Sequence, residues 1–217
     1  MLFRNAEHVY QSDRLVRLPW LIHGFGTRLS TDWPREYTRV KQVHSDTIFA
    51  VDERPARVMV GDALVTRTPG RMVGVRTADC VPILLADPAN RAVAAIHAGW
   101  RGTVQNIAGK TVERMRLEYG TNAADLLAVI GPSIGECCYE VGPEVAGQFD
   151  ELMANRVDSR RLNLEEANRR QLIAAGLRNE SIELGSVCTR CHEEFHSWRR
   201  DREAAGRMVA AIGILPQ

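Results

Sequence analysis

Apolar residues in this chain fall in short blocks divided by turn-forming residues, and the blocks change spacing along its length. Two of them, 81–86 and 92–96, flank Asp87-Pro88-Ala89-Asn90, a pattern of strand, turn, strand. Further strand-like runs are 20–23, 40–51, 58–66, 72–75, 126–130, 181–187 and 208–214. Helical spacing enters at 103–119, where Val104, Ile107, Val112 and Met115 share a face and Gly120 supplies a stop. A second helix is predicted from Asn163, an N-cap with Glu166 three residues on, to Gly176. Strands of mixed length with few helices between them predict an α+β fold with mixed β-sheets rather than a regular doubly wound one. There is no repeat, low-complexity tract or linker, so residues 1–217 are expected to form a single domain.

Charge narrows the classes of partner. The chain has 28 basic and 27 acidic residues, so it carries no broad field to draw in nucleic acid or an acidic membrane. Any anion site must be local. The first residues lack a signal-peptide pattern, and no apolar run approaches the roughly 20 residues needed to span a bilayer, so a soluble cytoplasmic protein is expected. Five cysteines, with Cys137 and Cys138 adjacent, suit reduced thiols with metal or catalytic roles better than a disulfide framework. The sequence does not set the oligomeric state.

The sharpest candidate chemistry is His44, Cys80 and His97. A hairpin closing on Pro88-Ala89 pairs Cys80 with His97 across the strands, with Cβ atoms about 4.5–5.5 Å apart. Two histidines and a cysteine leave tetrahedral zinc one open position, the pattern of a catalytic site. Two other readings use the same residues. Cys80 as a small buried hydrophobe and the histidines as hydrogen-bonded core residues need no ligand. Cys80 as a nucleophile with His97 as its base needs no metal, and His44 separates that dyad from a tridentate site. Gly99-Trp100-Arg101-Gly102-Thr103 lies between a strand and a helix, where helix N–H groups and Arg101 would hold phosphate or carboxylate. Arg28 tips a turn near the N-terminus, and Ser197-Trp198-Arg199-Arg200-Asp201 is a second basic candidate. Cys188-Thr189-Arg190-Cys191-His192 matches both a c-type haem attachment pattern and half of a zinc ribbon. Both are set aside, because haem attachment needs export and Cys137-Cys138 has the wrong spacing for the second half of a ribbon. A loop cysteine near the active cleft is expected instead.

The segments Gln42-Val43-His44, Gly61-Asp-Ala-Leu-Val-Thr66, Arg76-Thr-Ala-Asp-Cys80-Val-Pro, Ile96-His-Ala-Gly-Trp-Arg-Gly102, Gly131-Pro-Ser-Ile-Gly135, Cys137-Cys-Tyr-Glu-Val-Gly142, Cys188-Thr189, Phe195 through Asp201 and Gly206-Arg-Met208 together resemble the YfiH-type laccase-domain family. The resemblance implies two packed sheets with helices outside and a zinc held at His44, Cys80 and His97. It implies phosphorolysis of adenosine, inosine, guanosine and methylthioadenosine, with adenosine deamination beside it. Copper-dependent polyphenol oxidation and action on cell-wall precursors are further activities linked to such proteins. On this basis catalytic roles fall to Asp79 and Arg101, and substrate or phosphate contacts to Arg28, Arg101, Glu140 and Arg199. Asp79 or Glu140 would move the proton in deamination. The usual zinc deaminase signature, His-x-Glu followed by Pro-Cys-x-x-Cys, is absent. Two departures from the family pattern stand out: a short segment between Arg28 and His44, and Glu136 in place of a common proline before the double cysteine.

Overall fold

The computed structural model describes residues 1–52, 58–153 and 160–216. Its strands are β1 (Leu2–Arg4), β2 (Tyr10–Ser12), β3 (Leu21–Phe25), β4 (Ile48–Ala50), β5 (Ala63–Thr66), β6 (Met72–Thr77), β7 (Val81–Asp87), β8 (Ala92–Ala98), β9 (Leu127–Ile130), β10 (Ile182–Leu184) and β11 (Met208–Ile214). The helices are α1 (Trp100–Val104), α2 (Ile107–Tyr119), α3 (Pro143–Ala146), α4 (Leu164–Ala174) and α5 (Trp198–Asp201). One sheet runs β1-β2-β3-β11-β6 and is antiparallel. The other runs β10-β9-β7-β8-β5-β4, antiparallel at its centre and parallel at both edges. The fold is mixed α+β.

The layers follow from the alternation of side chains along β7 and β8. Val81, Ile83, Leu85, Ala94, Ile96 and Ala98 face helices α2 and α4, meeting Ile107, Val112, Met115, Leu164 and Leu172. Leu84, Ala86, Val93 and Ala95 face the second sheet, meeting Phe25, Val73, Val75, Ala210 and Ile212. Both strands are therefore buried at every position, which is why they read as unbroken apolar runs. Each fully buried aliphatic side chain contributes about 1.5–3 kcal/mol, so this two-sided core anchors whatever β8 carries at its end. On the outer face of the five-stranded sheet, Trp33 packs on Gly24 and Tyr37 on Gly74. The short segment before His44 is thus packed against the sheet.

Several boundaries differ from expectation. The β7–β8 hairpin pairs Asp87 with Ala92 and Pro82 with His97, two residues out of the predicted register. The turn is four residues long because the Asp87 carboxylate accepts from the Ala89 and Asn90 N–H groups, and Arg91 takes φ 48°. A two-residue shift keeps side chains on the same face, so Cys80 still meets His97, diagonally and from just before the strand. The predicted 103–119 helix is two helices broken at Asn106, which takes φ 60°. The leading helix, α1, is therefore only five residues long, and the anion reading of that segment rests on Arg101 rather than on a helix end. Of the 40–51 run only Ile48–Ala50 is strand, because His44 turns the chain with φ 61°.

Candidate metal centre and cleft

His44, Cys80 and His97 come together although each sits on a different element. His97 lies near the end of β8, Cys80 follows Asp79 at φ 84°, and His44 holds its left-handed turn in the loop before β4. Left-handed backbone at two non-glycine residues stores strain of order 1–3 kcal/mol each, which the surrounding structure must hold. Asp62 does that for His44. Its buried carboxylate accepts from the N–H groups of Val43, His44 and Ser45 at 3.2, 3.0 and 2.6 Å, from the Ser45 hydroxyl at 2.8 Å and from His97 Nδ1 at 2.8 Å. Since a carboxylate only accepts, Nδ1 of His97 carries a proton and Nε2 is left for a ligand.

One ligand atom from each of the three side chains lies within 4.8 Å of the others, and His44 Nε2 is 3.8 Å from Cys80 Sγ. Nitrogen and sulfur bound tetrahedrally to one zinc ion stand about 3.6 Å apart. Gly99 closes the floor: a Cβ there would lie 2.8 Å from His44 Cδ2 and 3.1 Å from Cys80 Sγ. The donor set, its carboxylate support and its cradle fit a metal with one open position. Charge in the cluster is already arranged for it. Burial alone would raise the Cys80 pKa, but the adjacent His97 and His44 bring it down to about 6. Burial would lower the His97 pKa, but the Cys80 thiolate and Asp62 raise it to about 9. Without metal, the two shifts favour a thiolate at Cys80 and an imidazolium at His97.

These residues open on a cleft of about 920 Å³. Among the described residues, Arg39, Lys41, Arg76, Arg101, Arg199 and Arg207 line it against a single carboxylate, Asp79, so this lining is locally basic in a nearly neutral chain. Arg101 stacks over Trp100 at 4.4 Å, and Arg199 over Tyr139 at 5.2 Å. The Gln42 side chain exchanges two 2.8 Å hydrogen bonds with the Arg76 main chain, tying the strand edge to the loop that carries His44. Asp79 is buried, and its carboxylate accepts from the Thr189 and Ser197 hydroxyls at 2.7 and 3.1 Å and from the Arg199 N–H at 2.6 Å. Two expected residues are not brought into the cleft. Arg28 donates to the Glu193 carbonyl, and the Glu140 carboxylate faces Arg160 at 3.8 Å, with only its main-chain carbonyl meeting Arg199.

Sequence reasoning missed Asp62, Tyr139 and the four other basic residues of the cleft. Asp62 enters the sequence reading only within the family segment Gly61–Thr66, without a role, because nothing local tells a turn aspartate from one buried under a histidine. It also set Cys137-Cys138 apart from Cys188 and Cys191, whereas the fold brings all four sulfurs within 4.8 Å of one another. Spacing failed there because the two pairs meet through tertiary structure: Ser133 and Cys188 form an isolated parallel bridge.

Comparison with known proteins agrees with this architecture. The family model described as multi-copper polyphenol oxidoreductase laccase matches residues 26–215. A purine nucleoside phosphorylase from Bacteroides thetaiotaomicron is 42% identical over 163 residues, covering 70% of this chain and 60% of that protein's length. Adenosine deaminase RL5, from an unknown prokaryotic organism, is 39% identical over 191 residues, covering 79% of this chain and 72% of that protein. The crystal structure of YlmD from Geobacillus stearothermophilus superimposes with a TM-score of 0.87 at 29% identity, over 99% of this chain and 98% of that one. With the match covering nearly its whole length, the chain belongs to the multi-copper polyphenol oxidoreductase laccase family.

Proposed function

We propose that this chain is a zinc-dependent purine nucleoside phosphorylase with adenosine deaminase side activity, centred on His44, Cys80 and His97. The observation that carries the reading is a basic cleft opening directly onto a supported three-donor metal centre, in a chain whose relatives are named for these two activities. Zinc, when bound by the three side chains, supplies Lewis acidity that stabilises an electron-rich leaving base or acidifies a water. Copper at the same donors would instead bring oxygen uptake and colour.

In phosphorolysis a phosphate oxygen forms a bond to the anomeric carbon, the bond from that carbon to purine N9 breaks, and the electron pair leaves on the base. The protein must hold an anion in line with the sugar and keep water away. Arg101 and Arg199 hold the phosphate, each oriented by the aromatic ring beneath it. Arg199 is further fixed by its N–H bond to Asp79 and by donation to the Glu140 carbonyl at 2.8 Å. Val40, Met59 and Ile134 give an apolar wall for the purine. Asp79, with three donors on its carboxylate, acts as a positioning residue for Arg199 and for the turn into Cys80 rather than as a proton carrier.

Incubation of the purified protein with inosine and phosphate tests the reading. Hypoxanthine and ribose 1-phosphate in equal amounts are expected. Hypoxanthine with free ribose, independent of phosphate, contradicts phosphorolysis. The closeness of Cys80 and His97, with the Cys80 pKa lowered and the His97 pKa raised, favours one second reading, a metal-free cysteine hydrolase. It requires inactivation by alkylation of Cys80 and indifference to chelators.

A further inference from the structure

Cys137, Cys138, Cys188 and Cys191 make a second thiol cluster outside the cleft, and the proposed reaction uses none of them. The sulfurs are 3.7 Å apart for Cys137–Cys138, 3.8 Å for Cys137–Cys191 and 3.4 Å for Cys138–Cys191. A disulfide would hold two of them about 2.0 Å apart. Four thiolates about 2.3 Å from one zinc ion, at tetrahedral angles, stand about 3.8 Å apart. In an iron–sulfur cluster the cysteines are divided among two or more iron atoms, which spreads the four sulfurs further. We infer that these four cysteines form a closed, structural zinc site, independent of the His44, Cys80 and His97 centre.

The backbone around the cluster is built for this. The Gly135 N–H donates to Cys188 Sγ at 3.2 Å, the kind of bond that steadies a thiolate. The Cys191 and His192 N–H groups both return to the Cys188 carbonyl at 3.2 Å, closing the turn that points Cys188 and Cys191 the same way. Cys138 N–H closes the opposing turn on the Gly135 carbonyl at 2.9 Å. A Cβ at Gly135 would lie 3.3 Å from Cys137 Sγ and 3.2 Å from Cys188 Cβ, so glycine lets the two turns approach. Cys137 and Cys191 are exposed, which gives an ion a path in.

Binding makes four Zn–S bonds, releases four thiol protons to solvent and changes no oxidation state, leaving the site with a net charge of about −2. Arg161 donates to the Cys137 carbonyl at 3.1 Å, placing its guanidinium beside that charge, while Arg200, paired with Asp201 at 2.7 Å, fixes the Thr189 and Arg190 carbonyls at 3.1 Å. The metal would staple two loops that both serve the cleft. One runs on into Tyr139, and the other carries Thr189, which holds Asp79.

The test counts zinc in the full chain purified without chelators. Two ions per chain are expected, one remaining in His44→Ala and one in Cys191→Ser. Cobalt-loaded His44→Ala should show strong thiolate-to-metal absorption that is absent from the same protein carrying Cys138→Ser. If the cysteine variants do not fold, mercurial titration of His44→Ala replaces them, with one zinc released as four thiols react. One zinc in the native chain and none in His44→Ala would overturn the site, as would a Cys138–Cys191 disulfide found by peptide mapping. The zinc count is read without substrate, so absence of nucleoside turnover does not alter it.

Discussion

Asp62→Asn removes a charge from beneath the proposed metal centre while nearly preserving side-chain shape. Asparagine keeps one acceptor oxygen. With that oxygen toward His44 N–H and His97, its amide group faces the Val43 and Ser45 N–H groups, which then confront donors instead of an acceptor. Each unsatisfied donor costs about 1–3 kcal/mol. An independent route gives a similar figure. Burial would raise the Asp62 pKa, but His97 and the Ser45 N–H and hydroxyl outweigh it and bring it from 3.8 to about 2. That shift corresponds to about 2.5 kcal/mol in favour of the charged form. Urea denaturation of the metal-free protein at pH 7 is therefore expected to show a loss of about 2–4 kcal/mol. Because the folded pKa lies below the unfolded one, the wild-type advantage is complete above about pH 4 and fades as pH falls toward 2. Loss of the carboxylate behind a ligating histidine should also weaken zinc about 10–100-fold in a chelator competition. A stability change under about 0.5 kcal/mol with unchanged zinc affinity would refute the role given to Asp62.

Other perturbations have equally definite outcomes. His23 is buried, accepts the Ser12 N–H at Nε2, and has its pKa lowered by burial to about 4. Its neutral form costs stability as pH falls from 6.5, reaching about 3 kcal/mol near pH 4. His23→Gln should flatten that part of the urea-stability profile, and an unchanged slope would contradict the assignment. Gly99→Ala drives a methyl group into His44 and Cys80. At about 1–3 kcal/mol for overpacking, zinc affinity should fall about 10–100-fold while far-ultraviolet circular dichroism stays native. Arg101→Ala should raise the KM for phosphate about tenfold or more and leave zinc content unchanged. Equal changes in nucleoside and phosphate KM would argue against an anion role.

How much of this was legible in the sequence depended on whether the signal was local. The runs that became β7, β8 and β11 and the Asn163 cap of α4 are written in short segments and lie where they were expected, and the fold brings His44, Cys80 and His97 together. The hairpin register was not, because an aspartate capping its own turn lengthened the loop by two residues. The break at Asn106 escaped because the apolar spacing of α2 continues upstream through Val104. Arg28 and Glu140 were proposed from motif position alone, and their side chains point at partners outside the cleft. Asp62 and the cysteine quartet are tertiary facts, with partners 35 and 53 residues away in sequence. Such contacts have no signature in a single chain.

The most direct test of the central claim is chromatographic analysis of adenosine incubated with phosphate and the native, zinc-depleted and zinc-restored protein, with His44→Ala alongside. Adenine with ribose 1-phosphate, and a smaller yield of inosine, are expected in the native and restored samples and in neither of the others. Full turnover by His44→Ala, or by protein stripped of zinc, would contradict a metal centre at His44, Cys80 and His97.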